Sequence, residues 1–184
     1  MLEKHIQSTC VDISSSVRSV TCDCLASISK DVYEQLPPKN QTLAITLLLP
    51  LAGDQDTNVR AAACRALGVF ILFPSLHDDP LFVSDMATAI LEQMNDKAIL
   101  VRARASWAQG NLCDALVIER LVRSERQEEN SPCANPECGE NLLICLFADS
   151  ENPEFDISEW ISMQVWADIL TTATSAALDN DKVK

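Results

Sequence analysis

The stretch Asp54-Gln-Asp-Thr-Asn-Val-Arg-Ala-Ala-Ala-Cys-Arg-Ala-Leu-Gly-Val-Phe70 decides how the chain is read, because its pattern occurs once before it and once after it. Asp54, Val59 and Arg60 have counterparts in Asp12, Val17 and Arg18, and again in Asp96, Val101 and Arg102. The step is 42 residues each time. A fixed period of that length, made of a helix, a tight acidic turn and a second helix, predicts a stack of helical hairpins.

Apolar spacing supports two helices per unit. In the second helix, Val17, Thr21, Cys24 and Ile28 align with Val59, Ala63, Ala66 and Phe70, and with Val101, Ala105, Ala108 and Leu112. Steps of four, three and four trace one helical face, and no short alternating run competes for a strand. The first helix keeps register as well: Leu2, Ile6 and Cys10 match Ala44, Leu48 and Ala52, then Met86, Ile90 and Met94. Small residues share two further columns, Cys22, Cys64 and Ser106, and Ala26, Gly68 and Gly110, where adjacent helices are expected to approach closely. One hairpin cannot bury both of its faces, so neighbours must complete the core. Asp12, Asp54 and Asp96 are expected to hold turns or cap helices, and Arg18, Arg60 and Arg102 to form an acid–base ladder along the stack. Their role is structural rather than catalytic.

Taken in order, the chain divides into three repeats over 1–118 (1–36, 38–73 and 80–118), an acidic flexible insertion over 119–156, and a further helix and turn over 157–184. Second helices are expected over 16–35, 58–73 and 101 to about 120, with first helices over 39–52 and 81–95. Pro37-Pro38 separates two units, and Asp79 before Pro80 is a helix start. His77, Asp78 and Asp79 read as a cap rather than a metal site. Cys133 and Cys138 lack a second ligand pair nearby, so no zinc is expected. Asp156-Ile-Ser-Glu159 resembles a capping box, and Asp179-Asn-Asp-Lys-Val-Lys184 restates the turn one residue shorter. Both ends break a repeat, which predicts a piece of a longer array, only marginally stable by itself.

Composition narrows the function. A formal net charge of −13 over 184 residues argues against a nucleic-acid surface and is compatible with a basic partner. The apolar runs near 43–52 and 66–74 are too short to span a bilayer, and the N-terminus lacks the apolar run of a signal peptide. An intracellular protein, cytoplasmic or nuclear, is expected, with its eight cysteines as thiols. His5 and His77 fall in different repeats, and neither a nucleophile elbow nor a phosphate loop occurs. No catalytic residue, cofactor, metal or small-molecule substrate is therefore assigned.

On the Asp and Val-Arg positions, residues 1–118 and the turn at 179–184 resemble HEAT repeats. The resemblance implies an all-α, right-handed α-solenoid of HEAT/armadillo-type hairpins, about three and a half repeats with incomplete ends, acting as a non-enzymatic protein-binding scaffold. In such solenoids the second helices line the inner face. That face then carries three columns: Asp23, Arg65 and Trp107; Ser27, Val69 and Asn111; and Lys30, Leu72 and Asp114. Asp23, Arg65, Leu72, Trp107, Asn111 and Asp114 are the candidate partner-binding residues, Trp and Arg being frequent hot spots. The run Ser106-Trp-Ala-Gln-Gly-Asn-Leu112 is also similar to the Trp and Asn pair of armadillo-type peptide receptors. An amide there meets a peptide unit and an indole face meets a cation, so a transport-receptor-like clamp for a basic extended peptide is the alternative.

Overall fold

The computed structural model describes residues 5–77, 79–128, 165 and 167–172. Among them every regular element is helical. In order they are α1 (Gln7–Cys10), α2 (Ser15–Ala26), α3 (Lys30–Glu34), α4 (Pro38–Leu48), a 3-10 turn (Leu49–Gly53), α5 (Thr57–Phe70), a 3-10 turn (Pro74–Leu76), α6 (Pro80–Gln93) and α7 (Ile99–Glu128). Residues 167–172 form a further helical stretch.

Local chemistry sets these limits. Asp56 and Asp79 are the N-caps of α5 and α6, their carboxylates accepting from the Asn58 and Leu81 amides at 2.8 and 3.0 Å. Pro38 and Pro80 open α4 and α6, where a missing N–H costs nothing.

Four expected boundaries are corrected. The second helix of the first unit does not run unbroken over 16–35: α2 stops at Ala26, and Ser29 is the extended N-cap of α3. The first helix expected over 39–52 tightens into a 3-10 turn from Leu49, next to Pro50, which has no N–H to donate. Helix α5 ends at Phe70 rather than at 73, short of Pro74. Helix α7 continues to Glu128, ten residues into the stretch expected to be an insertion. That tail, Glu119-Arg-Leu-Val-Arg-Ser-Glu-Arg-Gln-Glu128, is made largely of good helix formers. The rest of the expected insertion, with Cys133 and Cys138, lies outside the described residues, as do the capping box at 156–159 and the turn at 179–184.

The second helices pack in chain order, α2 on α5 and α5 on α7, while α1, α4 and α6 cover one side. Val59, Ala63, Ala66, Phe70, Val101, Ala105, Ala108 and Leu112 are fully buried, as are Leu48, Met86 and Ile90 of the first helices. Each large member contributes roughly 1.5–3 kcal/mol by leaving water. The α2–α3 break turns Tyr33 inward onto Phe70 and Phe73, with ring centroids 5.1–5.3 Å apart in all three pairings. Its hydroxyl donates to the Gln41 carbonyl at 3.0 Å, and the Gln41 amide returns a bond to the Tyr33 carbonyl at 2.9 Å. Burial pushes the Tyr33 phenol well above its usual value.

The small columns have a direction. A Cβ on Gly68 would lie 2.7 Å from the Ala108 Cβ and 2.8 Å from its Cα, so α7 rests directly on the α5 backbone there. The column of Cys22, Cys64 and Ser106 and that of Ala26, Gly68 and Gly110 therefore face the next second helix. The column of Cys24, Ala66 and Ala108 faces the previous one. Ser106 and Gly110 are exposed at one end of the stack, and Cys24 is exposed at the other. The expected burial of Cys24 and close approach at Gly110 are corrected accordingly: among the described residues no second helix packs against either.

Candidate functional site

Three identical turns run along one edge of the stack. In each, the aspartate carboxylate accepts from the amide two residues on: Asp12 from Ser14 at 2.8 Å, Asp54 from Asp56 at 2.8 Å, and Asp96 from Ala98 at 2.6 Å. The arginine six residues later turns back over its own loop. Arg18 Nη1 donates to the Asp12 and Ile13 carbonyls, Arg60 Nη1 to those of Asp54 and Gln55, and Arg102 Nη1 to those of Asp96 and Lys97, at 2.7–3.3 Å.

The other edge of the guanidinium reaches the next turn. Arg18 Nε and Nη2 grip the Asp54 carboxylate at 2.7 and 2.9 Å, and Arg60 grips Asp96 at 2.6 and 3.1 Å. This fork matches a carboxylate in a way a lysine cannot. The Arg18 hydrogen bonds hold the Asp54 carboxyl below its ordinary range, helped by the Asp56 amide. Arg60 does the same for Asp96, helped by the Ala98 amide. Asp56 is lowered by the Asn58 amide first and then by the Ser15 hydroxyl of the preceding repeat. Both paired arginines are raised, chiefly by their carboxylate partners. No buried side-chain nitrogen or oxygen of these two rungs lacks a partner, the condition under which such a pair is tolerated.

The six partner-binding candidates are not all on one face. Asp23, Arg65 and Trp107 do form a column across α2, α5 and α7. Arg65 Nη1 lies 3.4 Å from Asp23 Oδ1, both side chains largely exposed, so the pair contributes little stability. Trp107 is 46% exposed. Its Cζ3 edge comes within 2.9 Å of where a Gly68 Cβ would be, so the indole is seated on the glycine and shows its remaining surface to solvent.

Asn111 also depends on Gly68. Past the end of α5 the amides of Ile71, Leu72 and Phe73 bond to Leu67, Val69 and Phe70, which leaves the Gly68 carbonyl over. Asn111 Nδ2 supplies the missing donor at 2.7 Å. Asn111 is therefore a C-terminal cap for the neighbouring helix, and one of its amide hydrogens is engaged there.

The third column is corrected. Lys30 lies on the separate helix α3, 3.9 Å from Glu34, and Leu72 lies in the turn beyond α5, so neither shares a helix face with Asp114. Leu72 is 41% exposed and Asp114 is exposed on α7.

Sequence reasoning missed Gln109. It occupies the column of Leu25 and Leu67 yet is 4% exposed, and its amide donates to the Ile169 carbonyl at 3.0 Å. A polar residue where two repeats place leucine was the available signal. His77 is buried with Nε2 2.7 Å from the Ile71 carbonyl and Nδ1 3.8 Å from Glu119, while Asp79 serves as a helix cap. Among the described residues no group of three His, Cys, Asp or Glu side chains is arranged to hold a metal ion, and no helix is long and apolar enough to cross a membrane.

An uncharacterised protein of Dictyostelium discoideum is 32% identical over 165 residues, covering 79% of this chain. The chain spans about a tenth of that relative's length, 11%. No solved structure matches. The family model of the HEAT-like repeat matches residues 58–112, the segment that holds the Arg60–Asp96 rung and the seat of Trp107 on Gly68, so over that segment the chain is similar to a HEAT-like repeat.

Proposed function

We propose that the chain is a non-enzymatic helical-repeat scaffold that binds another protein through the face of its second helices. It would form about three and a half repeats of a right-handed α-solenoid within a longer array, inside the cell. The observation that carries this reading is the half-exposed Trp107, fixed on Gly68 at the end of a column that also presents Asp23 and Arg65. A rigid aromatic beside charged neighbours loses little entropy on docking, which is what makes such residues hot spots. HEAT-like repeats generally serve protein–protein contacts, and on the runs 59–70 and 101–114 our reading extends to a resemblance to HEAT repeat-containing protein 6. Neither a nucleic acid, a membrane, a cofactor nor a small-molecule substrate belongs to this reading.

The alternative, a clamp for a basic extended peptide, requires the Asn111 amide, and the bond to Gly68 weighs against it. Affinity capture by the full chain tests both. Proteins retained by the wild type and lost on Trp107→Ala, but kept on Leu81→Ala at an exposed position on α6, support the scaffold face. Unchanged capture by Trp107→Ala refutes it. Binding of a Lys/Arg-rich peptide that weakens steeply with salt and disappears in Trp107→Ala would instead favour the clamp.

A further inference from the structure

The ladder lacks a grip at its first turn. Asp12 Oδ1 accepts from the Ser14 amide at 2.8 Å, as its counterparts do from their own turns. Asp54 and Asp96 are also held by a two-pronged arginine from the repeat before, each arginine standing 36 residues ahead of its aspartate. Asp12 meets no arginine among the described residues, so its Oδ2 edge is open.

The helix that follows this turn is open on the same side. In α5 and α7 the preceding second helix covers Val59 and Ala66, and Val101 and Ala108, all 0% exposed. Their counterparts in α2 are Val17, which is half-buried, and Cys24, which is exposed, while Val20 is 59% exposed where Ala62 is 8%. A carboxylate without its arginine and an uncovered apolar strip thus lie together at one end of the stack, at the positions through which α5 and α7 and their turns hold their predecessors.

We propose that this end, Asp12 with Val17, Val20 and Cys24, docks a further helical hairpin of the longer array, one whose second helix opens with an arginine. The two internal interfaces fix what that hairpin carries. Its arginine forks onto Asp12, and the residue eight further on is no larger than alanine, as Ala26 is after Arg18 and Gly68 after Arg60, because the next helix rests on the backbone there. The fork adds two charge-assisted bonds to a carboxylate that has one amide. A second copy of the chain is the competing occupant, since the Nε and Nη2 edge of its Arg102 meets no carboxylate among the described residues. Beside its α7, however, the place that a docked α1 needs is already filled by 167–172. Ile169 is 1% exposed in the main core, Gln109 holds its carbonyl, and it stands ten residues ahead of an aspartate in the sequence, as Met86 and Ala44 do. Docking at this end deepens the longer-array part of the proposed scaffold and makes no use of Trp107, so either can fail while the other stands.

The chain's own second hairpin serves as the probe. A duplicate of residues 38–84 placed directly ahead of Met1 sets its Arg60 36 residues before Asp12, the spacing of both existing rungs. In this extended chain, alkylation of Cys24 is expected to slow about tenfold relative to the chain alone. Asp12→Asn is expected to lower the folding equilibrium constant about tenfold more in the extended chain than in the chain alone, an excess that disappears when the added copy carries Arg60→Gln. Equal Cys24 rates in the two chains overturn the proposal, as does an equal effect of Asp12→Asn in both. Protection of Cys24 in the unextended chain that grows with its concentration and is lost on Arg102→Gln gives the face to a second copy and overturns it too. Two variants of the unextended chain give an answer that needs no extension to fold. Cys24→Lys is expected to leave the melting temperature where it is, whereas Ala66→Lys at the covered counterpart lowers it; equal losses would show that this end of α2 is already closed and refute the site.

Discussion

Replacing Arg60 with alanine removes the better-shielded rung. Its side chain and that of Asp96 are each 8% exposed, against 17% and 11% for Arg18 and Asp54. The change deletes two bonds to the carboxylate and two to the Asp54 and Gln55 carbonyls. Asp96 is left with the Ala98 amide alone. Removing one partner of a buried pair costs about 3–5 kcal/mol, and the lower end applies because Gln55 and Lys97 beside the rung are open to water. At about 2–4 °C per kcal/mol for a chain of this size, the melting temperature should fall by about 10 °C. Arg60→Lys, which keeps the charge and loses the fork, should recover less than half of that. Calorimetry or urea unfolding of Arg60→Ala, Asp96→Asn and the double variant gives the coupling directly. A value of about 1 kcal/mol or more is expected, and one below about 0.3 kcal/mol would mean that the rung is not an energetic unit.

Three further outcomes follow from the same geometry. Gly68→Ala forces a methyl onto the Ala108 backbone and should destabilise by about 1–3 kcal/mol, whereas Gly110→Ala, with nothing within 4 Å, should be neutral or stabilise by up to about 1 kcal/mol; equal melting temperatures for the two would contradict the described packing. Because Asp54 and Asp96 titrate below the ordinary carboxylate range when folded, their contribution is complete above about pH 4 and is lost as pH falls through their folded values; Asp54→Asn/Asp96→Asn should therefore show a shallower loss of melting temperature between neutral and acid pH than the wild type, and parallel curves would refute it. Burial pushes the Cys22 and Cys64 thiols up to about 12, so brief alkylation of the native chain, read by peptide mass spectrometry, should label the exposed Cys24 before either of them; labelling of Cys22 at the same rate would show that α2 and α5 separate readily.

The parts of this fold that were legible in the sequence are those written by repetition. Asp54, Val59 and Arg60 recur because each turn solves the same problem, and the alignment that pairs Met86 with Ala44 also finds Ile169. What repetition does not encode was misread. The break at Ser27-Ile28-Ser29 interrupts a text whose apolar spacing runs on, and its consequence is Tyr33 turning into the core. The charged run 119–128 looked like a loop because it lacks an apolar stripe, yet its Arg, Glu and Gln residues favour a helix once α7 is under way. The sequence offers Asn111 as a peptide ligand because its role as a cap depends on which carbonyl of α5 is left over, and that is fixed only when the two helices meet.

The Arg18 and Arg60 guanidiniums each touch their own loop and the loop after it. Tension applied to the two ends of such a molecule would load the rungs in series, and each would yield by itself while the others held. The extension trace expected under an optical tweezer is a staircase rather than a single rip. Its treads would be one hairpin apart, so the molecule would lengthen by fixed increments.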